Sequence, residues 1–377
     1  MNKNFWFFLF AAFIIYGNRL SAQVPAYYCD IRNETFIASN IFEFDLYLTR
    51  SGTIPLELAG INTGILLNTG FVNGGIITPS LVPGSELNTN QVPTNIAYDA
   101  AYRCIKIAPK KPPRDYSTGL TSGTIISNTS GTRVCRVRLT NSVNFGADPL
   151  TYTWSMNIWP YHTVVGAFVP GVPHLVSAII TNVASHSQSN DLTFFLEGLF
   201  IGTGNHKVQD QTGDHFAGPV ADKVTVKLVN ATSHTIDYVS TPANLYTNGK
   251  CSFSAPGSVS GSYYLVVNHR NSIETWSSLP VVFGSGLIAY NFSDAASKAF
   301  GDNMIEKAPG QWAFFGGDVN QDGIVDTGDM NPVENESNAV TMGYVVEDVN
   351  GDGIVDTGDM NLVENNSTAV IMVQSPF

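Results

Sequence analysis

The chain has 377 residues and a formal net charge of −12, and only 13% of its residues are Asp, Glu, Lys or Arg. Its length leaves room for two or three separately packed domains. The acidic balance argues against nucleic acid as a partner, and sparse charge with abundant Gly, Ser, Thr and Asn fits an extracellular, mainly β protein.

Residues 1–22 read as a secretory signal peptide: Lys3 supplies the positive start, Phe5 to Tyr16 the apolar core, and Leu20-Ser21-Ala22 a small-residue cleavage site before Gln23. The apolar run is short for a membrane anchor. A secreted or outer-surface protein with no transmembrane segment after cleavage is expected. Cys29, Cys104, Cys135 and Cys251 lie in no CxxC and near no cluster of His. The expectation is at most one disulfide, within the first domain, with its pairing open.

Residues 23–185 read as a first β-sandwich. In Phe42-Glu-Phe-Asp-Leu-Tyr-Leu-Thr49 the apolar side chains share one face and the polar ones the other, the period of a half-buried strand. That parity puts Glu43 and Asp45 on the outward face. Arg133–Leu139 and Leu150–Ile158 alternate likewise, between turns such as Asn73-Gly74-Gly75 and Pro83-Gly84. Two surfaces are candidates for binding. Lys106–Arg114 is a basic loop stiffened by Pro112 and Pro113. Tyr152, Trp154, Trp159 and Tyr161 form an aromatic cluster, in which Trp154 shares its parity with Met156 and Ile158 and is read as core. Trp159 and Tyr161 remain candidates for stacking on a sugar ring.

The polar, aperiodic run TNVASHSQSND contains a linker at 186–191. A second β-sandwich follows at 192–292, with strands expected at Leu192–Gly198, Lys223–Val229 and Tyr263–His269. His269, Arg270, Glu274 and Trp276 are read as a buried ion pair and aromatic anchor at the end of this sandwich. Residues 293–316 are a connector.

Residues 317–377 hold one motif twice, DVNQDGIVDTGD from Asp318 and DVNGDGIVDTGD from Asp348, 30 residues apart. The spacing D-x-N-x-D-G-I-V-D-x-x-D curls oxygen donors around a hard cation, in the manner of a calcium loop. Asp318, Asn320 and Asp322 offer side-chain oxygens, Ile324 its carbonyl, Asp326 a water-mediated contact and Asp329 the closing carboxylate. Asp348, Asn350, Asp352, Ile354, Asp356 and Asp359 repeat the set, for two Ca2+ sites. From Gly317 onward there are twelve Asp plus Glu and no Lys or Arg, while the rest balances nineteen acids against nineteen bases. Such a tail repels itself without a counter-ion, so ion binding is expected to supply folding free energy.

This tail, with Asp at position 12, a short helix after each loop and none before it, resembles a dockerin. The resemblance implies a small α-helical calcium-binding domain that docks onto a cohesin-like or other surface protein. It also implies partner contacts at positions 10 and 11, here Thr327, Gly328, Thr357 and Gly358. Met330 and Met360 suit the apolar helix positions; Pro332 departs from the pattern and is expected only in a first turn, and the usual basic residue is missing. FEFDLYLTR and GTRVCRVRLTN in the first domain are similar to cohesin-like and carbohydrate-binding sandwiches. The layout from FLEG through YYLVVNHRNSIETWS to NFSDAASKAFGDN resembles exported Bacteroidetes surface proteins and the immunoglobulin-like modules that brace some dockerins.

No HExxH, GxSxG, P-loop or GxGxxG occurs, and the seven His residues show no ligand spacing. The chain therefore reads as a non-catalytic protein of assembly or adhesion, with polysaccharide as a further candidate ligand. The rival reading is an accessory or catalytic subunit of a polysaccharide-degrading complex, attached through its dockerin-like tail.

Overall fold

The computed structural model describes residues 25–108, 123–158, 160–168, 188–256, 259–284 and 288–377. The expected signal at 1–22, most of the basic loop Lys106–Arg114, and Trp159 lie outside the described residues. The chain is mainly β. Its first unit packs two antiparallel sheets face to face. One runs in the order Ala26–Ala38, Ile41–Ser51, Thr132–Asn141, Ile77–Val82; the other runs Asn95–Asp99, Cys104–Ala108, Leu58–Leu67, Tyr152–Trp154, with Val164–Ala167 also on Leu58–Leu67.

The alternation read in Phe42–Leu48 sets the core: Phe42, Phe44, Leu46 and Leu48 are all fully buried. Phe71 and Phe145 stack beside them with centroids 4.5 Å apart. Glu43 and Asp45 point away from the core as expected, yet they are also enclosed. Arg136 bridges both acids, at 2.7 and 3.0 Å, and Arg138 adds a contact of 2.6 Å to Glu43. The arginine stems cover the carboxylates while their heads neutralise them. Trp154 is buried core, as its parity indicates.

In the second unit the strand Val220–Asn230 serves two sheets. Its first half pairs with Ala243–Tyr246, which continues through Lys250–Ala255 to Gln188–Thr193 and Ala289–Asn291. Its second half pairs with Gly261–Asn268 and Ile236–Val239. The change of partner falls between Val224 and Thr225, and a bulge between Val220 and Asp222 lies within the first pairing.

Three expectations need correction here. Residues 188–191 of the linker are strand, and Ser189 and Asn190 are buried. Two of its polar side chains are satisfied by neighbouring elements: Asn190 Oδ1 accepts from the Ile288 amide at 3.1 Å, and Ser189 Oγ donates to the Leu150 carbonyl at 3.3 Å. The strand expected at Leu192–Gly198 is broken, with Gln188–Thr193 and Phe195–Leu196 in different sheets. The connector 293–316 is built into the second unit. Its strands Ile305–Ala308 and Gln311–Phe314 pair with each other, the second also pairs with Phe195–Leu196, and Phe314 stacks on Phe194 at 4.8 Å in the core.

Among the described residues, which include all four cysteines, there is no disulfide. Each cysteine is buried in its own strand or core, and burial pushes the Cys104 thiol up to about 11 and Cys135 to about 12. No helix among the described residues is long and apolar enough to cross a membrane.

Candidate metal-binding loops

Each tail loop leads into a twelve-residue helix, Thr327–Asn338 and Thr357–Thr368. The loop sequence explains how. Gly323 and Gly353 adopt φ of 89° and 86°, the left-handed turn for which position 6 needs glycine. Asn320 Oδ1 accepts from the Asp322 amide at 2.8 Å and Asp322 Oδ1 from the Ile324 amide at 3.1 Å, so each acid or amide folds the backbone two residues on. Asp326 caps the helix by accepting from the Gly328 amide at 2.6 Å. Asp329 closes the loop, accepting from Val319, Asn320 and Asp326 at 2.8, 3.0 and 2.9 Å. Asp359 does the same for Val349, Asn350 and Asp356 at 2.7, 2.9 and 2.9 Å.

Pro332 is a correction. It sits inside the first helix, past its first turn. The bond it removes would have run to the carbonyl of Gly328, which is exposed, so water can take it.

The loops are closed reciprocally. Ile324 bridges to Met372 behind the second helix, and Ile354 bridges to Met342 behind the first. Between the helices, Val319, Val325 and Val333 pack against their repeat mates Val349, Val355 and Val363. Met330 and Met360 pack on this core, as their positions suggested.

Asp318, Asp329, Asp348 and Asp359 are each no more than 2% exposed. Burial, helped by the neighbouring carboxylates Asp329 and Asp322, lifts Asp318 to about 6. Burial, opposed by Arg270 and reinforced by Asp359, lifts Asp348 to about 6 as well. Both oxygens of Asp348 accept backbone amides, from Gly351 at 2.8 Å and Gly353 at 3.1 Å. Asp318 Oδ1, by contrast, is buried with no donor in hydrogen-bond geometry, while the Gly323 and Gln321 amides beside this carboxylate limit its upward shift. Among the described residues no three His, Cys, Asp or Glu side chains converge as a ready metal cluster; the loop oxygens are divided among acids, Asn and carbonyls.

The tail is bound tightly to the second sandwich, and one buried carboxylate ties the contact. Asp222, on the strand Val220–Asn230, accepts from His269 Nε2 at 2.9 Å, Arg270 Nε at 3.1 Å and the Tyr344 hydroxyl at 2.6 Å. Burial works against its charge, yet His269, Arg270 and Tyr344 together hold its carboxyl well below the usual range. Tyr344 stacks on His215 at 4.2 Å, and Arg270 also donates to the Val345 carbonyl. The ion pair read among His269, Arg270 and Glu274 therefore has different partners. His269 and Arg270 meet Asp222, while Glu274 meets Lys227 at 2.8 Å and the Trp276 indole at 2.8 Å. Sequence reasoning missed Asp222, whose acid breaks the apolar side of its strand.

Thr327, Gly328, Thr357 and Gly358, the first two residues of each helix, are all exposed. The tail also exposes apolar residues that recur at the repeat period: Ile324 and Ile354, Val340 and Val370, Met342 and Met372. That recurrence was available in the sequence and went unused. In the first domain Tyr161 is half-buried. Its hydroxyl donates to Asp99, which pushes it up to about 12, and the Lys106 ammonium stands 5.9 Å from the ring centre.

No family model and no curated protein matches the chain. Solved structures give faint likenesses. An interface mutant of a type II cohesin–X-dockerin complex from Acetivibrio cellulolyticus is 15% identical with TM-score 0.29, covering 48% of this chain and 99% of that chain. A type II cohesin dyad from the adaptor scaffoldin of the same organism is 10% identical with TM-score 0.26, covering 71% and 97%. The major pilin of Corynebacterium diphtheriae is 10% identical with TM-score 0.18, covering 71% and 67%.

Proposed function

We propose that this chain is a non-catalytic calcium-binding protein of assembly or adhesion, holding one Ca2+ in each tail loop. The observation that carries the reading is Asp318 Oδ1, a carboxylate oxygen buried without a donor at the head of an acidic loop. Such a group is costly to enclose, and a divalent cation relieves it. The residues fit a hard ion: Asp318, Asn320, Asp322, the Ile324 carbonyl, Asp326 and Asp329 in one loop, and Asp348, Asn350, Asp352, the Ile354 carbonyl, Asp356 and Asp359 in the other. When bound, the ion neutralises carboxylates in a segment with no Lys or Arg of its own and so adds folding free energy.

The partner in this reading is a surface protein, of the cohesin-like kind that the tail's dockerin resemblance implies. It would meet Thr327, Gly328, Thr357 and Gly358 and the exposed apolar pairs of the tail; exposure of all of these supports the assignment. Export to the cell exterior rests on the signal-like residues 1–22. Sugar contact at Trp159 and Tyr161 has less behind it, because Tyr161 is engaged by Asp99 and Lys106. Titration of the full chain with CaCl2 by calorimetry should count two ions, and Asp318→Ala with Asp348→Ala should abolish both. A double variant that still takes two ions refutes the ligand assignment. Recovery of the same surface proteins with and without calcium refutes the calcium-dependent partner.

A further inference from the structure

We infer that the second sandwich makes the two loops unequal, pre-forming 348–359 as the tight calcium site and leaving 318–329 as the weaker, calcium-responsive one. The inference rests on the calcium reading above. Over their twelve residues the loops differ at a single position, Gln321 against Gly351. The fold gives that difference a reason. A Cβ on Gly351 would lie 2.4 Å from Leu199 Cδ2 and 3.1 Å from Val208 Cγ1, so only glycine lets the loop sit against the sandwich.

Once seated, the backbone of the second loop is gripped from outside. The Gly351 carbonyl accepts from the Gln209 amide at 2.9 Å, and the Asn350 carbonyl faces His206 Nε2 at 2.9 Å. Asn271 Nδ2 donates to the Asp348 carbonyl at 2.9 Å. Positions 1, 3 and 4 are thus held before any ion arrives, and both Asp348 oxygens already point at loop amides. Arg270 near Asp348 does not cancel this, because its own charge is met by Asp222.

The first loop has no such backbone grip at position 4. Its backbone there is not bonded to the sandwich as that of Gly351 is; only the Gln321 side chain reaches it, donating to the Asp318 carbonyl and, at 3.4 Å, to the Ser272 carbonyl, and Asp318 Oδ1 stays unpartnered. This loop faces an open cleft of about 480 Å³, with Lys227, Asn268 and Glu274 of the sandwich on the far wall. Binding free energy at a preformed site is not diverted into ordering the site, so the docked loop binds more tightly. Over the calcium range in which the second loop is already full, the first loop fills. Thr327–Gly328 then becomes the partner surface that answers to calcium, while Thr357–Gly358 is already set.

The test is a CaCl2 titration of the full chain by calorimetry, with the Gly323 and Gly353 amides followed by NMR on glycine-labelled protein. The Gly353 signal should move first, with constants separated by about tenfold or more. Gly351→Gln makes the loops identical and should bring the constants within about threefold, by weakening the tight site. Gln321→Gly, which removes the side-chain contact to Ser272 and adds no backbone grip, should keep the separation. Should Gly351→Gln fail to fold, His206→Ala removes one grip and should weaken only the Gly353 site. Equal sites in the unaltered chain overturn the inference and leave the calcium reading intact. So does a separation that survives Gly351→Gln or His206→Ala, or one that Gln321→Gly abolishes. No ion bound at either loop overturns both.

Discussion

Asp222→Asn is the sharpest test of how the tail is held. The substitution keeps the size of the side chain and removes its charge. It leaves the His269 and Arg270 side chains, 2% and 11% exposed, with a neutral partner, and weakens the acceptor of the Tyr344 hydroxyl. Removing one partner of a buried charge pair costs about 3–5 kcal/mol, because the other charge stays enclosed. Asn keeps one acceptor oxygen, so we expect about 3 kcal/mol. The sandwich and tail together fall in the size range where each kcal/mol moves the melting temperature by about 2–4 °C, so a drop of roughly 6–12 °C is expected. Calorimetric melting of the full chain reads it. The pH dependence carries a second signature. Asp222 is held below its unfolded value of about 3.9, so its stabilisation is complete above that value and is lost as the solution is acidified below it. The variant should lack this acid-side loss. A melting shift under about 2 °C, or an unchanged acid limb, would refute the knot.

Other outcomes follow from the same structure. Val340 and Val370 hold left-handed φ of 56° and 55° just past their helices, exposed and β-branched; Val340→Gly and Val370→Gly should each stabilise the tail by about 1 kcal/mol in denaturant unfolding. In the folded chain a thiol reagent should modify none of the four cysteines, and in denaturant it should count all four without reductant; a lower count means a disulfide exists. In chelator, Asp318 and Asp348 titrate near 6, above their unfolded value of about 3.9. The native state then keeps protons that the unfolded chain has released, so stability should fall as pH rises from about 4 to 6 and stay low above that. Saturating calcium should remove the fall, and melts across this pH range in each condition decide it.

What could be read in the sequence was what is encoded locally. Phe42–Leu48 alternates because one face meets the core, and the core residues follow from the pattern. The tail loops carry their own turn chemistry, so glycine at position 6, the capping Asp at position 9 and the closing Asp at position 12 all appear where the motif places them. The reading failed where polar residues are satisfied by distant chain. Ser189 and Asn190 look like linker because their partners, Leu150 and Ile288, are far away in sequence. Asp222 looks like a blemish in a strand because His269, Arg270 and Tyr344 gather around it only after folding.

The duplication itself holds a signal that a motif search passes over. At all six proposed ligand positions the copies agree, yet they differ at several positions that touch the sandwich: Gly351 against Gln321, Asn366 against Glu336, Tyr344 against Gln374. Asn366 shows why. It is buried, and its amide donates to Glu197 Oε2 at 2.7 Å and to the Gly316 carbonyl at 2.9 Å. A glutamate there, as in the other copy, would set a carboxylate against Glu197 with no donor between them. Glu336 occupies the matching place on the undocked helix and meets only Thr341 of its own copy. Asn366→Glu should therefore cost about 3 kcal/mol or more, as an uncompensated buried charge does. Glu336→Asn, the reverse exchange at the other copy, should stay within about 1 kcal/mol. Equal costs at the two positions would mean that the sandwich does not distinguish the copies.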